Sequence, residues 1–411
     1  MTMHRIPVLV CAALTWGALE PLPATAQQPA PAALVAAARA VGREMAGIRE
    51  LPWREPVAFR VSDRAAIQTF ARAALDREMA PAEWAAQQAL FAHAGLIGPG
   101  VDMRELAVQL YTEQVAGYYD PDLKTFYLAD WLPQLIQRAV VAHEITHALQ
   151  DQHFDLVPWL DEVPATEDGA LARAAVIEGD AMTAMLAYLL VPAGASLDQL
   201  PDIARLLQQQ SGALATSYPT FDKAPPALQR LLLFPYVEGS AFVLTALKSG
   251  GWAAVDALYR DPPRSTEQVL HPERYFGPRD APRTVAPPAL TGARLIEGSW
   301  GELGVSLILG AGLSPGAAAA AARGWDGDRY VLARRPGGGL ALAWTLRFDT
   351  PAAAARFATA YAQSIVTRFP GPARVATGDR RFGFAGKRRT LALTWKGDRV
   401  EIRETAIFER S

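Results

Sequence analysis

The chain has little cysteine and little histidine: one Cys and six His in 411 residues. Cys11 lies in an N-terminal stretch that reads as a removable leader. The mature chain is therefore expected to have no disulfide and no thiol nucleophile, and to hold no metal through thiolates. An excess of charge is also missing. Forty Lys and Arg against 42 Asp and Glu give a formal net charge of −2. The densest basic stretch, Arg380 to Arg389, is too short to act as the extended stripe that nucleic acid requires, so no nucleic-acid partner is expected. After the leader, no run reads as long and apolar enough to cross a bilayer, and the mature protein is expected to have no membrane span. No internal repeat of fixed period is present.

What is present begins with the leader itself. "MTMHR" is basic, "IPVLVCAALTWGAL" is apolar but short, and Ala24-Thr25-Ala26 is a small-x-small cleavage site. Residues 1–26 read as a secretory signal peptide and imply a periplasmic or extracellular product. A lipid anchor on Cys11 fits less well, because "VLVC" lacks the small residue that precedes a lipid-modified cysteine. Half of the residues are hydrophobic, enough to build a sizeable core and two domains.

Residues 27–55 carry a helix of good formers. Residues 56–280 begin with a short strand, a helix capped by Ser62 or Asp63, and a helix opened by Pro81 and closed by Gly95. His93, on that helix, has no acidic or histidine neighbour at helical spacing and reads as packing. An Asp-Pro hairpin lies between Val115 and Leu128. Helices follow from about Pro133 and Ala170, and a helical pair from about Pro226 to Tyr259. The Pro-rich stretch 278–289 marks a boundary. Beyond it, residues 281–411 begin with helices and turn to alternating strands, the last two joined by "KGD" as a tight hairpin. The expected fold class is α+β: a mainly helical domain with a small edge hairpin or sheet, then a small α+β domain. That last domain contains no histidine and no acidic cluster at useful spacing.

Three of the six histidines fall in "VVAHEITHALQDQHFDL", Val140 to Leu156. On a helix, His143 and His147 share a face one turn apart, so their imidazoles can take two corners of a tetrahedral zinc. Glu144 adjoins the first of them and is placed to act as a base on a water at the metal. A carboxylate in this apolar run would be costly without such a purpose. The cofactor expected is Zn2+.

For the third ligand, two readings compete. His153 has the ten-residue spacing from His143 seen in metzincins, but Gln150 stands where their helix-breaking glycine belongs. On an unbroken helix His153 lies about 120° around the axis from His147. The preferred ligand is Glu178 in "AVIEGDAM", whose flanks are apolar on nearly all sides, with Asp180 and Glu167 as the other carboxylates in reach. His271 in "EQVLHPERY" and Tyr236 in "FPYVEGSAF" are candidate donors to a developing oxyanion.

These two motifs resemble the gluzincin division of zinc metallopeptidases. Together with "EQVAGYYDP", "FPYVEGSAFV", "STEQVLHPERY" and "GWDGDRY" they are similar to a group of largely uncharacterised secreted metallopeptidases, across Glu113 to Tyr330. The resemblance implies a zincin-like domain, zinc on His143, His147 and Glu178, Glu144 as base and acid, and a peptide or protein substrate. One departure is that the Asp supporting a metal-binding histidine four residues after the Glu ligand is here Met182. A zinc amidase acting on cell-wall peptides would use the same residues. An inactive zincin fold kept as an envelope binding or chaperone module would have no need for Glu144.

Overall fold

The computed structural model describes residues 31–98, 100–114, 117–120, 123–130, 134–161, 166–197, 218–369 and 374–407. The expected signal peptide lies outside the described residues, as does most of the stretch between Leu197 and Tyr218. The fold is α+β. The first part carries α1 (Pro31–Ile48), β1 (Ala58–Ser62), α2 (Arg64–Glu78), α3 (Pro81–Ala94) and α4 (Met103–Gln114), followed by a hairpin of β2 (Gly117–Asp120) and β3 (Thr125–Ala129). Asp63 caps α2 by accepting the Ala66 amide at 2.8 Å. Gly95, at φ 75°, ends α3 in the left-handed conformation glycine favours. The three strands form one sheet in the order β1-β3-β2, with β1 parallel and β2 antiparallel to β3. The backbone of β2 is therefore at an edge.

Next come α5 (Gln134–Phe154), the short α6 (Leu156–Asp161) and α7 (Glu167–Leu190), capped by Thr166. The stretch around α6, rich in proline and acid, reads as a loop from sequence. Trp159 gives it a helical turn by burying its ring and donating its indole N–H to the Tyr259 carbonyl at 2.7 Å. After α8 (Pro219–Lys223), α9 (Pro226–Arg260) forms the expected helical pair, broken at Gly250 and Gly251. The chain then passes α10 (Thr266–Leu270) and α11 (Glu273–Phe276) into the extended Pro-rich segment.

The core of the first part is α5 and α7 packed with α1 and α9. Leu34, Val41 and Met45 of α1 bury against Val141, Ile145 and Leu149 of α5. Where α7 crosses α9 the backbones touch: a Cβ on Gly179 would lie 2.3 Å from the Gly239 carbonyl, and one on Gly239 2.3 Å from the Ala175 oxygen. Only glycine at both positions allows that crossing. Contrary to the sequence expectation, two helices, Glu167–Ala193 and Pro226–Arg260, are long and apolar enough to span a membrane by length and composition. Their most apolar windows are 72% and 61% buried within the protein. Their length escapes a search for unbroken apolar runs because polar residues such as Glu178 and Asp180 interrupt them.

The last part carries β4 (Ala293–Gly298), α12 (Gly301–Gly310), α13 (Pro315–Ala322), β5 (Trp325–Arg334), β6 (Leu340–Phe348), α14 (Pro351–Arg368), β7 (Arg374–Gly378), β8 (Arg381–Ala385), β9 (Arg389–Lys396) and β10 (Arg399–Ala406). They form a seven-stranded antiparallel sheet in the order β4-β5-β6-β10-β9-β8-β7. β9 and β10 alternate buried and exposed residues, as half-covered strands must, whereas β5 and β6 are buried almost throughout. β4 and β7 have no counterpart in the sequence reading. The Pro-rich boundary separates chain segments but not cores: Trp84, Leu90, Phe91 and Met103 of the first part share one apolar cluster with Trp325, Tyr330 and Leu342 of the sheet.

Candidate metal centre

α5 and α7 lie side by side, and the polar residues of each meet at the contact. His143 Nε2 and His147 Nε2 are 3.1 Å apart, and Glu178 Oε2 is 3.2 Å from the first and 3.5 Å from the second. A tetrahedral zinc with ligands at about 2.0–2.1 Å has ligand-to-ligand edges of about 3.3 Å. All three side chains are buried, so the donor set of two imidazoles and one carboxylate fits zinc in both spacing and chemistry. Burial pulls His143 below its ordinary pKa and keeps it neutral, the form that binds metal. Burial alone would raise Glu178, but the charges and hydrogen bonds of His147 and His143 overcome it and hold the carboxyl at about 2.

Glu144 is fully buried with no side-chain hydrogen-bond partner among the described residues, and the group that approaches its carboxyl is the Tyr119 backbone of β2. Burial raises its carboxyl to about 8, against the pull of His147 and the Tyr119 backbone on β2. A buried carboxyl left this way beside three converging ligands is explained if it serves something that occupies the centre. Tyr236 is close by: its ring lies 6.1 Å from that of His143, nearly parallel to it, and it lines a cleft of about 490 Å3 that Glu178 also lines.

The other sequence candidates go elsewhere. His153 Nε2 lies 2.7 Å from the Pro52 carbonyl and is not part of the group. His271 pairs with Glu302 at 2.8 Å and does not line the cleft. Glu167 accepts from the Ser299 amide and the Tyr330 hydroxyl. His93 is buried packing, 3.3 Å from Glu404. Asp326 and Asp349, far apart in the sequence, converge with Asp280, and salt bridges from Arg274 and Arg283 balance them.

The second layer of the centre escaped sequence reasoning. His147 Nδ1 lies 2.9 Å from Gln150 Oε1, and Gln150 Nε2 donates to the Ile177 carbonyl and to Asp180, both at 3.0 Å. With both amide hydrogens spent, Gln150 must accept from Nδ1–H, which leaves Nε2 as the ligating nitrogen. Asp180 in turn accepts from Arg49 at 2.6 Å and from Tyr259 at 2.8 Å. On the hairpin side, Asp151 of α5 accepts from Tyr119 at 3.1 Å and Lys124 at 2.6 Å, fastening β2 beside Glu144. The signal for Gln150 was its place one turn past His147, on an unbroken helix.

Compared with known proteins, residues 291–407 match the family described as Domain of unknown function (DUF8575). The match covers β4 through β10, and the metal-centre residues lie before it. No curated protein and no solved structure matches the chain.

Proposed function

We propose that the protein is an exported zinc metallopeptidase of gluzincin type that hydrolyses peptide bonds. The observation that carries this reading is the convergence of His143, His147 and Glu178 beside a buried carboxyl, Glu144, that has no side-chain hydrogen-bond partner among the described residues. A structural zinc site closes its coordination with protein ligands, whereas three ligands and an adjacent acid–base group suit a catalytic one. Bound to these three residues, zinc would supply Lewis acidity toward a water and toward the scissile carbonyl.

The remaining roles belong to the chain. Glu144 takes the proton of the attacking water and delivers it to the leaving amine, a task suited to a buried carboxyl next in sequence to one of the three converging residues. The edge of β2 offers backbone groups with which an extended substrate can pair. Tyr236, beside His143, is the donor whose position suits the developing oxyanion, and His271, held by Glu302, is set aside. A peptide library incubated with wild type and with Glu144→Gln tests the reading. Cleavage by wild type that falls at least about a hundredfold in the variant is expected, and no cleavage by zinc-loaded wild type would refute it.

A further inference from the structure

The cleft beside the centre is larger than catalysis at a single bond requires. Its volume of about 490 Å3 is that of a pocket that accommodates a small ligand or several side chains. Glu178 and Tyr236 line it together with residues from both parts of the chain, among them Trp84, Phe91 and Leu231 from the first and Ile296, Trp300 and Leu307 from the last. The last three belong to the C-terminal module.

Trp300 is set firmly in place. Asp328, buried in β5, accepts from the backbone amides of Trp300 and Gly301, from the Ser299 hydroxyl, and from the indoles of Trp325 and Trp344. The Trp300 ring is then wedged between Phe91 at 5.7 Å and Tyr330 at 5.2 Å. The motif "GWDGDRY" thus has a physical task, which is to fix one wall of the cleft.

We infer that the C-terminal module is part of the substrate site, and that the cleft takes a peptide segment with two or more bulky apolar side chains. This rests on the peptidase reading for the orientation of the segment toward the metal centre. An extended peptide reaching from the metal centre supplies the apolar bulk, since the cleft that Glu178 and Tyr236 line is otherwise mainly apolar.

Calorimetry on full-length, zinc-loaded Glu144→Gln tests it, using two capped decapeptides that differ only in a central Leu-Phe-Leu or Ser-Ala-Ser. The apolar peptide is expected to bind at least tenfold more tightly. That preference should disappear in Leu307→Trp, which fills the cleft. Unchanged thermal unfolding of that variant establishes that it folds. Equal binding of the two peptides would overturn the inference even if wild type proves to be a peptidase. A tenfold preference without cleavage by wild type would uphold the cleft and refute the peptidase reading. Tight binding of palmitate with no binding of either peptide would overturn it in favour of a lipid site.

Discussion

His147 Nδ1 and Gln150 Oε1 are 2.9 Å apart, so the helix that carries two of the three candidate metal ligands also carries the group that fixes the ring of one. From Gln150 the bonding runs to Asp180 on α7 and on to Arg49 just after α1. Three helices distant in sequence are tied together behind one imidazole.

Replacing Gln150 with Leu removes the acceptor that selects the His147 tautomer. Zinc affinity, measured by competition with a chromophoric chelator, is expected to fall ten- to a hundredfold. An affinity within twofold of wild type would show that Gln150 does not support the ligand.

Arg49 is fully buried between Asp180 and Asp256, at 2.6 Å from each, with the Trp252 ring 4.7 Å from its guanidinium carbon. Arg49→Met would leave Asp180 buried without its counter-charge, and a loss of about 3–5 kcal/mol in urea unfolding is expected. The residue belongs to the 27–55 segment, whose α1 also covers the inner face of α5. Residues 31–55 are therefore built into the core of the first part. A loss below about 1 kcal/mol would contradict this role.

Gly239→Ala forces α9 away from α7, because its new methyl would overlap the Ala175 carbonyl. Since α7 carries Glu178, the variant is expected to lose zinc as well as about 3 kcal/mol of stability. Metal content and thermal unfolding check this together. Wild-type values for both would mean that the crossing tolerates a side chain.

The legible parts of the fold were those governed by local pattern. The apolar helix around His143 and His147, the apolar flanks of Glu178, the Asp63 and Gly95 caps and the alternation of β9 and β10 each reflect neighbours a few residues away. What escaped depends on partners distant in sequence. Gln150 was read only as a missing glycine, because its partners Ile177 and Asp180 lie on another helix. Arg49 reads as one more charge until Asp180, 131 positions later, is brought to it. The Pro-rich stretch near residue 281 runs as an extended connection, yet no local pattern reveals that Trp84 and Phe91 share a core with the sheet beyond it.

Acid is expected to loosen the contact between α3 and the C-terminal sheet. Glu404 is buried among Arg389, Tyr361, His93 and Arg368. Burial would raise its pKa, but His93, Arg389 and Arg368 together hold it at about 2, against an ordinary value of 4.5. Between these values the unfolded chain carries the extra proton, so stability falls as the pH drops from about 4.5 toward 2. His93, whose pKa burial lowers, acts in the same direction below its ordinary value of 6.5. Urea unfolding from pH 6 to pH 3 should show a shallower fall for Glu404→Gln than for wild type, and parallel curves would contradict this assignment.

The most direct test of the metal centre is zinc per chain, determined by elemental analysis of wild type, Glu178→Ala and His153→Ala purified identically. About one zinc in wild type and in His153→Ala, and essentially none in Glu178→Ala, is the result required by a centre on His143, His147 and Glu178. Zinc retained by Glu178→Ala and lost from His153→Ala would contradict it.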